Sequence, residues 1–430
     1  MRILLFTTVV LIFQVTSVNS QTLTFNEVLQ LAVENSENLK ILSLQTQQTE
    51  LSNSRFNSGQ LPEVQLLMNT NGSVNNTNQL FVDGRELVRT GANASNSSAA
   101  VQVVWNIFDG FGMFHRKNIL ESTVLEMNER TNQQELSVKL LATQTYFDVL
   151  TTSEQLPILK ENISISKERY ELISYRKSIG LASEYDVLLS NQAVVDDSIS
   201  YLQQVNLLYI QQKQLSRLIG KSLGNFQLEY PSKNSNNLNV ETVKKDYFLK
   251  NPFYKEAIQR METARLRKKS LQSTQLPNID FVSTVNLNRS ASEAGFLAQN
   301  ITTQVQYGLQ LSYPLSQVLD LSSNVENSQI DISIEELSLK RLENDVRYDL
   351  ERRVEQIQRL QALVEMNTKN VELSNKIQTI DNSKLELGQI SGNDYRILQL
   401  DGLRRKRTLV ASKLEELQSS IELELLLLQR

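Results

Sequence analysis

Two short stretches carry the residue types with the most chemical capacity, and in one shared spacing. GLASEYD begins at Gly180 and GQISGND at Gly388, and both read G-x-x-S-x-x-D. Neither belongs to a Ser/His/Asp set, because His115 is the only histidine and has no evident partner. His115 reads as a membrane-proximal surface residue. One His and no Cys argue against a zinc site, and the lack of Cys excludes thiolate chemistry. No paired-carboxylate site or phosphate loop stands out, and Arg404–Arg407 (RRKR) reads as a solvated helix face rather than an anion site. The formal charge of -4 gives no electrostatic case for nucleic acid. The chain therefore reads as a non-enzyme without a cofactor. What the two stretches do suit is turning a chain: Gly180 and Gly388 end one helix in the left-handed conformation, and Ser183 and Ser391 cap the next.

The elements that must hold these turns are long helices. With six Pro and fourteen Gly in 430 residues, breakers are few. Residues 111–178 would span roughly 100 Å as one helix, with Pro157 expected to interrupt it. Residues 191–219 carry two apolar seams, one through Val195, Ile199, Leu202 and Tyr209, the other through Tyr201, Val205, Leu208, Leu215 and Ile219. Two seams imply two neighbours, as in a ring of helices. The last helix has Leu403, Val410, Leu414, Leu417, Ile421, Leu425 and Leu428 at mostly three- and four-residue spacings.

Against this helical background, VQYGLQLSYPLS alternates strictly, with Val305, Tyr307, Leu309, Leu311 and Tyr313 on one side and Gln306, Gly308, Gln310 and Ser312 on the other. Four strands are expected at Leu61–Asn71, Ala99–Phe108, Pro277–Asn288 and Ile301–Tyr313, each about ten residues, the length a tilted strand needs to cross a bilayer. NTNGSVNNTNQ and GANASNSS read as polar loops between them. Residues 1–20 look like a secretory signal, with Arg2 before an apolar run too short to span a membrane. The protein is read as exported, and any membrane crossing must be made by strands.

The halves repeat. Pro62 and Pro277 stand 215 apart, whereas Trp105 and Tyr313, like Gly180 and Gly388, stand 208 apart. The seven-residue difference falls between the two strands of each copy. The organisation is a signal at 1–20, a first copy at 21–221, a linker at 222–240 and a second copy at 241–430. Four strands cannot close a barrel, and an open edge cannot sit in lipid, so several chains must share one. Two chains would fill the interior with side chains, while three can leave a lumen.

LTFNEVLQLAVENSENL, QLP before a strand, WNIFDG leaving one, and SIGLASEYDVLLSNQA with its partner LELGQISGNDYRILQLD together resemble the TolC-like outer membrane efflux proteins, over nearly all of the mature chain. The resemblance implies a mainly α fold with a membrane β-barrel. Long antiparallel coiled-coil helices form an α-barrel, and each protomer of a homotrimer adds four strands to a twelve-stranded barrel. It implies an outer-membrane location with most of the mass in the periplasm, and partners in a periplasmic adaptor, an inner-membrane transporter and outer-membrane lipid. It implies adaptor docking at the turns, through Ile179, Gly180, Leu181 and Ser183 and through Leu387, Gly388, Gln389 and Ser391. Asp186 and Asp394 match constriction positions, where a ring of like charges would repel and favour cations. Trp105 and Tyr313 would sit at the membrane interface. Two positions depart from the family pattern: Ile390 replaces an arginine and Ile397 a second aspartate, so a salt-bridge gate gives way to apolar contact. The rival expectation is a secreted coiled-coil adhesin or filament, which would have no alternating strands. Neither reading names a cargo.

Overall fold

The computed structural model describes residues 21–221, 226–232, 247–248, 250–294, 297–313 and 315–427. The expected signal, most of the expected linker and Leu428 lie outside them. In chain order the elements are β1 (Gln21–Leu23), α1 (Phe25–Asn35), α2 (Glu37–Ser52), β2 (Glu63–Leu80), β3 (Glu86–Phe108), α3 (Gly112–Ser178), α4 (Glu184–Leu218), β4 (Phe226–Leu228), α5 (Pro252–Ser273), β5 (Asn278–Ser292), β6 (Gln299–Ser312), α6 (Leu315–Glu386) and α7 (Gly392–Leu427). The fold is mainly helical. It divides into two compact units, one of Met1–Glu37, Glu135–Lys244 and Asp349–Arg430, the other of Asn38–Gln134 and Lys245–Tyr348.

The second unit is organised by one antiparallel sheet in the order β2-β3-β5-β6. Its register sorts the side chains by row. Leu66, Val101, Val285 and Val305 pair across all four strands, and the adjacent row is Gln65, Gln102, Thr284 and Gln306. Successive side chains point to opposite faces, so at this level the sheet presents an aliphatic row on one face and a polar row on the other. The aliphatic row is exposed in the single chain, with Leu66 at 64% and Val305 at 61%.

The first hairpin is longer than expected. Asn/Ser-rich stretches read as loops are strand instead, β2 running to Leu80 and β3 starting at Glu86. Backbone pairing carries them despite their composition, from Asn69↔Ser98 to Leu80↔Glu86, with Thr70 and Ser97 hydroxyls 2.8 Å apart. A bulge between Asn75 and Thr77 is stabilised by the Gly91 N–H, which donates to Asn76 Oδ1 at 2.8 Å.

Where β3 enters α3, Asp109 is buried and receives the Met113 N–H at 3.0 Å and Arg116 Nη2 at 2.7 Å. Gly110 between them has φ +67°, and a Cβ there would lie 2.3 Å from the Ser273 carbonyl oxygen. His115 sits on the first turns of α3 and is partly exposed.

In the other unit, β1 pairs in parallel with β4. Phe226–Leu228, expected within a linker, is thus a strand, because its backbone finds Gln21–Leu23 as partner. The buried Tyr146 packs edge-on against Phe25, ring centroids 5.3 Å apart. Pro157 does not interrupt α3, which runs unbroken from Gly112 to Ser178. A proline forfeits one ladder bond and crowds one turn, and here buried Leu150 and Leu159 hold the flanking turns. Hydrogen bonds join α6 to α7 (Asn367–Ser412, 3.2 Å), α7 to α3 (Lys406–Glu161, 3.0 Å) and α3 to α4 (Gln204–Thr152 O, 3.4 Å). Of the expected α7 seam, Leu414, Leu417 and Ile421 are buried, while Leu403, Val410 and Leu425 are half-buried. The seam Val195, Ile199, Leu202 and Tyr209 of α4 is exposed, and α6 exposes Leu363, Met366, Leu373, Ile377 and Ile380 at spacings of three, four and seven.

Gly110→Ala tests the corner. Strain and displaced backbone should cost about 2 kcal/mol or more, read as a lowered unfolding midpoint, whereas Gly72→Ala, with nothing within 4 Å of the added carbon, should move it little.

Candidate functional site: two helix turns and a polar seam

Both G-x-x-S-x-x-D stretches fold alike. Gly180 has φ +77° and Gly388 φ +74°. Gly180 N–H donates to Lys177 O at 3.0 Å and Leu181 N–H to Arg176 O at 2.8 Å; Gly388 N–H donates to Leu385 O at 3.0 Å and Gln389 N–H to Lys384 O at 2.8 Å. This is the Schellman pattern, which satisfies the last carbonyls of α3 and α6. A Cβ at either glycine meets nothing within 4 Å, so glycine is needed for its φ alone.

Each serine then opens the next helix, and each aspartate closes the cap. Asp186 N–H donates to Ser183 Oγ at 3.2 Å, while the Ser183 N–H and hydroxyl donate to Asp186 Oδ2 at 3.0 and 2.7 Å. Asp394 N–H donates to Ser391 Oγ at 3.1 Å, and that hydroxyl returns to Asp394 Oδ2 at 2.7 Å. The spacing made the serines legible as caps; the reciprocal part of the aspartates follows from the same three-residue offset. Hydrogen bonds from the Ser183 hydroxyl, then from its backbone, hold the Asp186 carboxyl below its usual range. A carboxyl with a lowered folded value stabilises fully above the ordinary carboxylate range, and that stabilisation is lost as pH falls through the lowered value.

Around the turns, Ile179, Leu181 and Leu387 are exposed, as are Gln389 and Ile397, and Ile390 is half-buried. Trp105 and Tyr313 belong to the sheet unit, about half exposed; the Trp105 indole N–H donates to Gln60 O at 3.3 Å.

A buried polar seam just behind the turns joins α3, α4 and α7. Arg396 holds Asp197 with two bonds, Nη1 to Oδ2 at 2.8 Å and Nη2 to Oδ1 at 2.7 Å, and the Ser166 hydroxyl also donates to Asp197. Gln399 Nε2 reaches Asn162 Oδ1 at 2.8 Å and Ser166 Oγ at 3.1 Å. Arg169 Nη1 donates to Gly392 O at 3.3 Å, and Arg176 Nη2 donates to the carbonyls of Leu385 and, at 2.9 Å, Glu386. Burial, then the like charge of Arg396, push the Arg169 guanidinium below its usual pKa. The sequence reading missed this seam. Its signal was the spacing of Asn162, Ser166, Arg169, Ile173 and Arg176 by fours and threes, polar residues on a coiled-coil core line. Among the described residues no cluster of three or more His, Cys, Asp or Glu could hold a metal, and no helix is long and apolar enough to cross a membrane.

Residues 28–221 match the family described as outer membrane efflux protein. That match covers a little under half of the chain, so the likeness to outer membrane efflux proteins is one of residues 28–221. Crystal structures of outer membrane channels share the chain's fold at low identity. CusC aligns with TM-score 0.78 at 12% identity, over 94% of this chain and 91% of that one. VceC from Vibrio cholerae aligns with TM-score 0.78 at 12%, over 94% and 95%, and the CmeC outer membrane channel of Campylobacter jejuni with TM-score 0.76 at 16%, over 94% and 85%. No curated protein matches the chain's sequence.

Asp197→Ala strands the Arg396 guanidinium in a buried seam and should cost about 3–5 kcal/mol. The double change Asp197→Leu with Arg396→Met removes both charges and should recover most of that loss. Thermal unfolding of the purified chain followed by circular dichroism reads the difference.

Proposed function

We propose that this protein is the outer-membrane exit duct of a tripartite efflux or type I secretion system, passively conducting cargo from a periplasmic adaptor and inner-membrane transporter to the outside. The observation that carries the proposal is the four-stranded sheet whose adjacent rows alternate Leu66–Val101–Val285–Val305 with Gln65–Gln102–Thr284–Gln306 and whose outer strands, β2 and β6, have no partner within the described chain. An aliphatic face suits hydrocarbon, an amide face suits water, and unpaired strand edges suit neither lipid nor isolation.

The helices support the same closure. The exposed stripes of α4 and α6 differ in sequence, so pairing one stripe with itself would leave the other bare. A head-to-tail ring covers both. Three copies give twelve strands with room for a lumen, where two would pack the interior solid. On this reading residues 21–221 and 241–430 are two copies of one plan, 1–20 are removed on export, and most of the mass stands in the periplasm as a helical tunnel. The turns at Gly180 and Gly388 are the adaptor-docking tips, with Ile179, Leu181, Ser183, Leu387, Gln389 and Ser391 around them. Asp186, Asp394, Ile390 and Ile397 line the constriction, and Trp105 and Tyr313 sit at the membrane interface with outer-membrane lipid.

Neighbouring positions test the two faces. Arginine at the centre of a lipid-facing strand costs about 2–4 kcal/mol. Val285→Arg should therefore abolish outer-membrane assembly, while Thr284→Arg should assemble as a heat-modifiable trimer and shift the ion preference of its planar-bilayer conductance toward anions. Equal assembly of the two variants, or a purified particle that is monomeric and non-conducting, would count against the duct.

A further inference from the structure

The two turns do not stand apart: a cleft of about 600 Å³ opens between them, within one unit of the fold. Its floor is unusual in charge. Arg169, Arg176 and Arg396 all line it. Arg396 is matched, since Asp197 spends both oxygens on it. The other two donate to no carboxylate among the described residues. Arg169 is only 5% exposed, its one bond is to a backbone carbonyl, and its Nε meets no acceptor among the described residues. Arg176 likewise donates to the carbonyls that end α6 and to no carboxylate. Two carboxylates reach the rim: Asp186, held by Ser183 in its capping box, and Asp196, which is exposed. The first turn of α7 also faces the cleft through Ser391, Gly392 and Asn393, adding the positive end of a helix.

We propose that this cleft receives a carboxylate side chain from an acidic, partly apolar peptide segment of a protein partner. A buried guanidinium whose donors meet no carboxylate is costly, even with the charge of Asp197 nearby, and a carboxylate is the group that fits its planar donors. The size and the other walls select a peptide over a free anion. Ile173, Leu181, Leu189 and Ile390 line the same space, so a lone small anion would leave most of it, and its apolar surface, unfilled. The proposal rests on reading the turns as docking tips and names the chemistry that docking requires: an acidic residue flanked by leucine-like ones, entering between Arg169 and Arg176.

The experiment uses the full-length protein in detergent and a fluorescent peptide, acetyl-Leu-Glu-Leu-Leu-Glu-amide, against its Gln counterpart, with inorganic phosphate as a separate arm. The Glu peptide should bind at least tenfold more tightly than the Gln peptide, and the preference should collapse in Arg169→Met and in Arg176→Gln. Arg176 is partly exposed, so its variant keeps the test open should the buried change fail to fold. Equal binding of the two peptides overturns the proposal, as does a preference untouched by either variant or phosphate binding as tightly as the peptide. Conductance of the same preparation separates the failures: a conducting trimer without carboxylate preference removes the cleft ligand and leaves the duct, whereas loss of conductance removes the duct reading itself.

Discussion

The constraint on which the rest depends is that backbone N–H and C=O groups must be paired wherever water is absent. In this chain it bears on β2 and β6, the outer strands of the sheet, because the aliphatic row from Leu66 to Val305 makes one face unfit for water and the edges unfit for lipid. Packing a helix over the face would solve the first problem only. In the proposed assembly, joining the edge of one copy to the other edge of the next solves both, and the apolar stripes of α4 and α6 would be covered by the same head-to-tail join. In that assembly one symmetry operation would satisfy two independent surfaces.

The helical unit shows a different economy. Far from the turns the α7 seam is Leu414, Leu417 and Ile421; near them it is Arg396 and Gln399. Apolar seams stabilise without fixing register, since a leucine accepts many neighbours. A bidentate Arg–Asp pair tolerates one geometry, and replacing such pairs by hydrophobic residues often stabilises a protein. Placing the polar set behind the turns favours positional definition of the two tips over the last increment of stability.

What was legible in the sequence was local. Val305–Tyr313 alternates within one strand, and Gly180 with Ser183 sets a turn through bonds no more than five residues long, so both could be read from spacing. What escaped depended on distant partners. Asn69–Asn78 looks like a loop until β3 is laid beside it. Phe226–Leu228 is a linker until it meets Gln21–Leu23. Pro157 should break a helix, but its neighbours Leu150 and Leu159 are held by packing. Asp197 and Arg396 are 199 positions apart, and only the shared core spacing of their neighbours hinted that they meet.

The capping geometry also bears on the reading of Asp186 and Asp394 as a ring of charge. A carboxylate engaged in a cap is not spent by it. Accepting hydrogen bonds does not remove its charge; for Asp186 the bonds from Ser183 lower the pKa and keep the group ionised at pH values where a free carboxyl would begin to protonate. The same bonds fix the rotamer, so the charge has an address. Capping and charge display are therefore compatible demands on one side chain. The helix end supplies the positive dipole that makes a carboxylate favourable there, and symmetry would set its copies facing one another without needing any further residue to hold them.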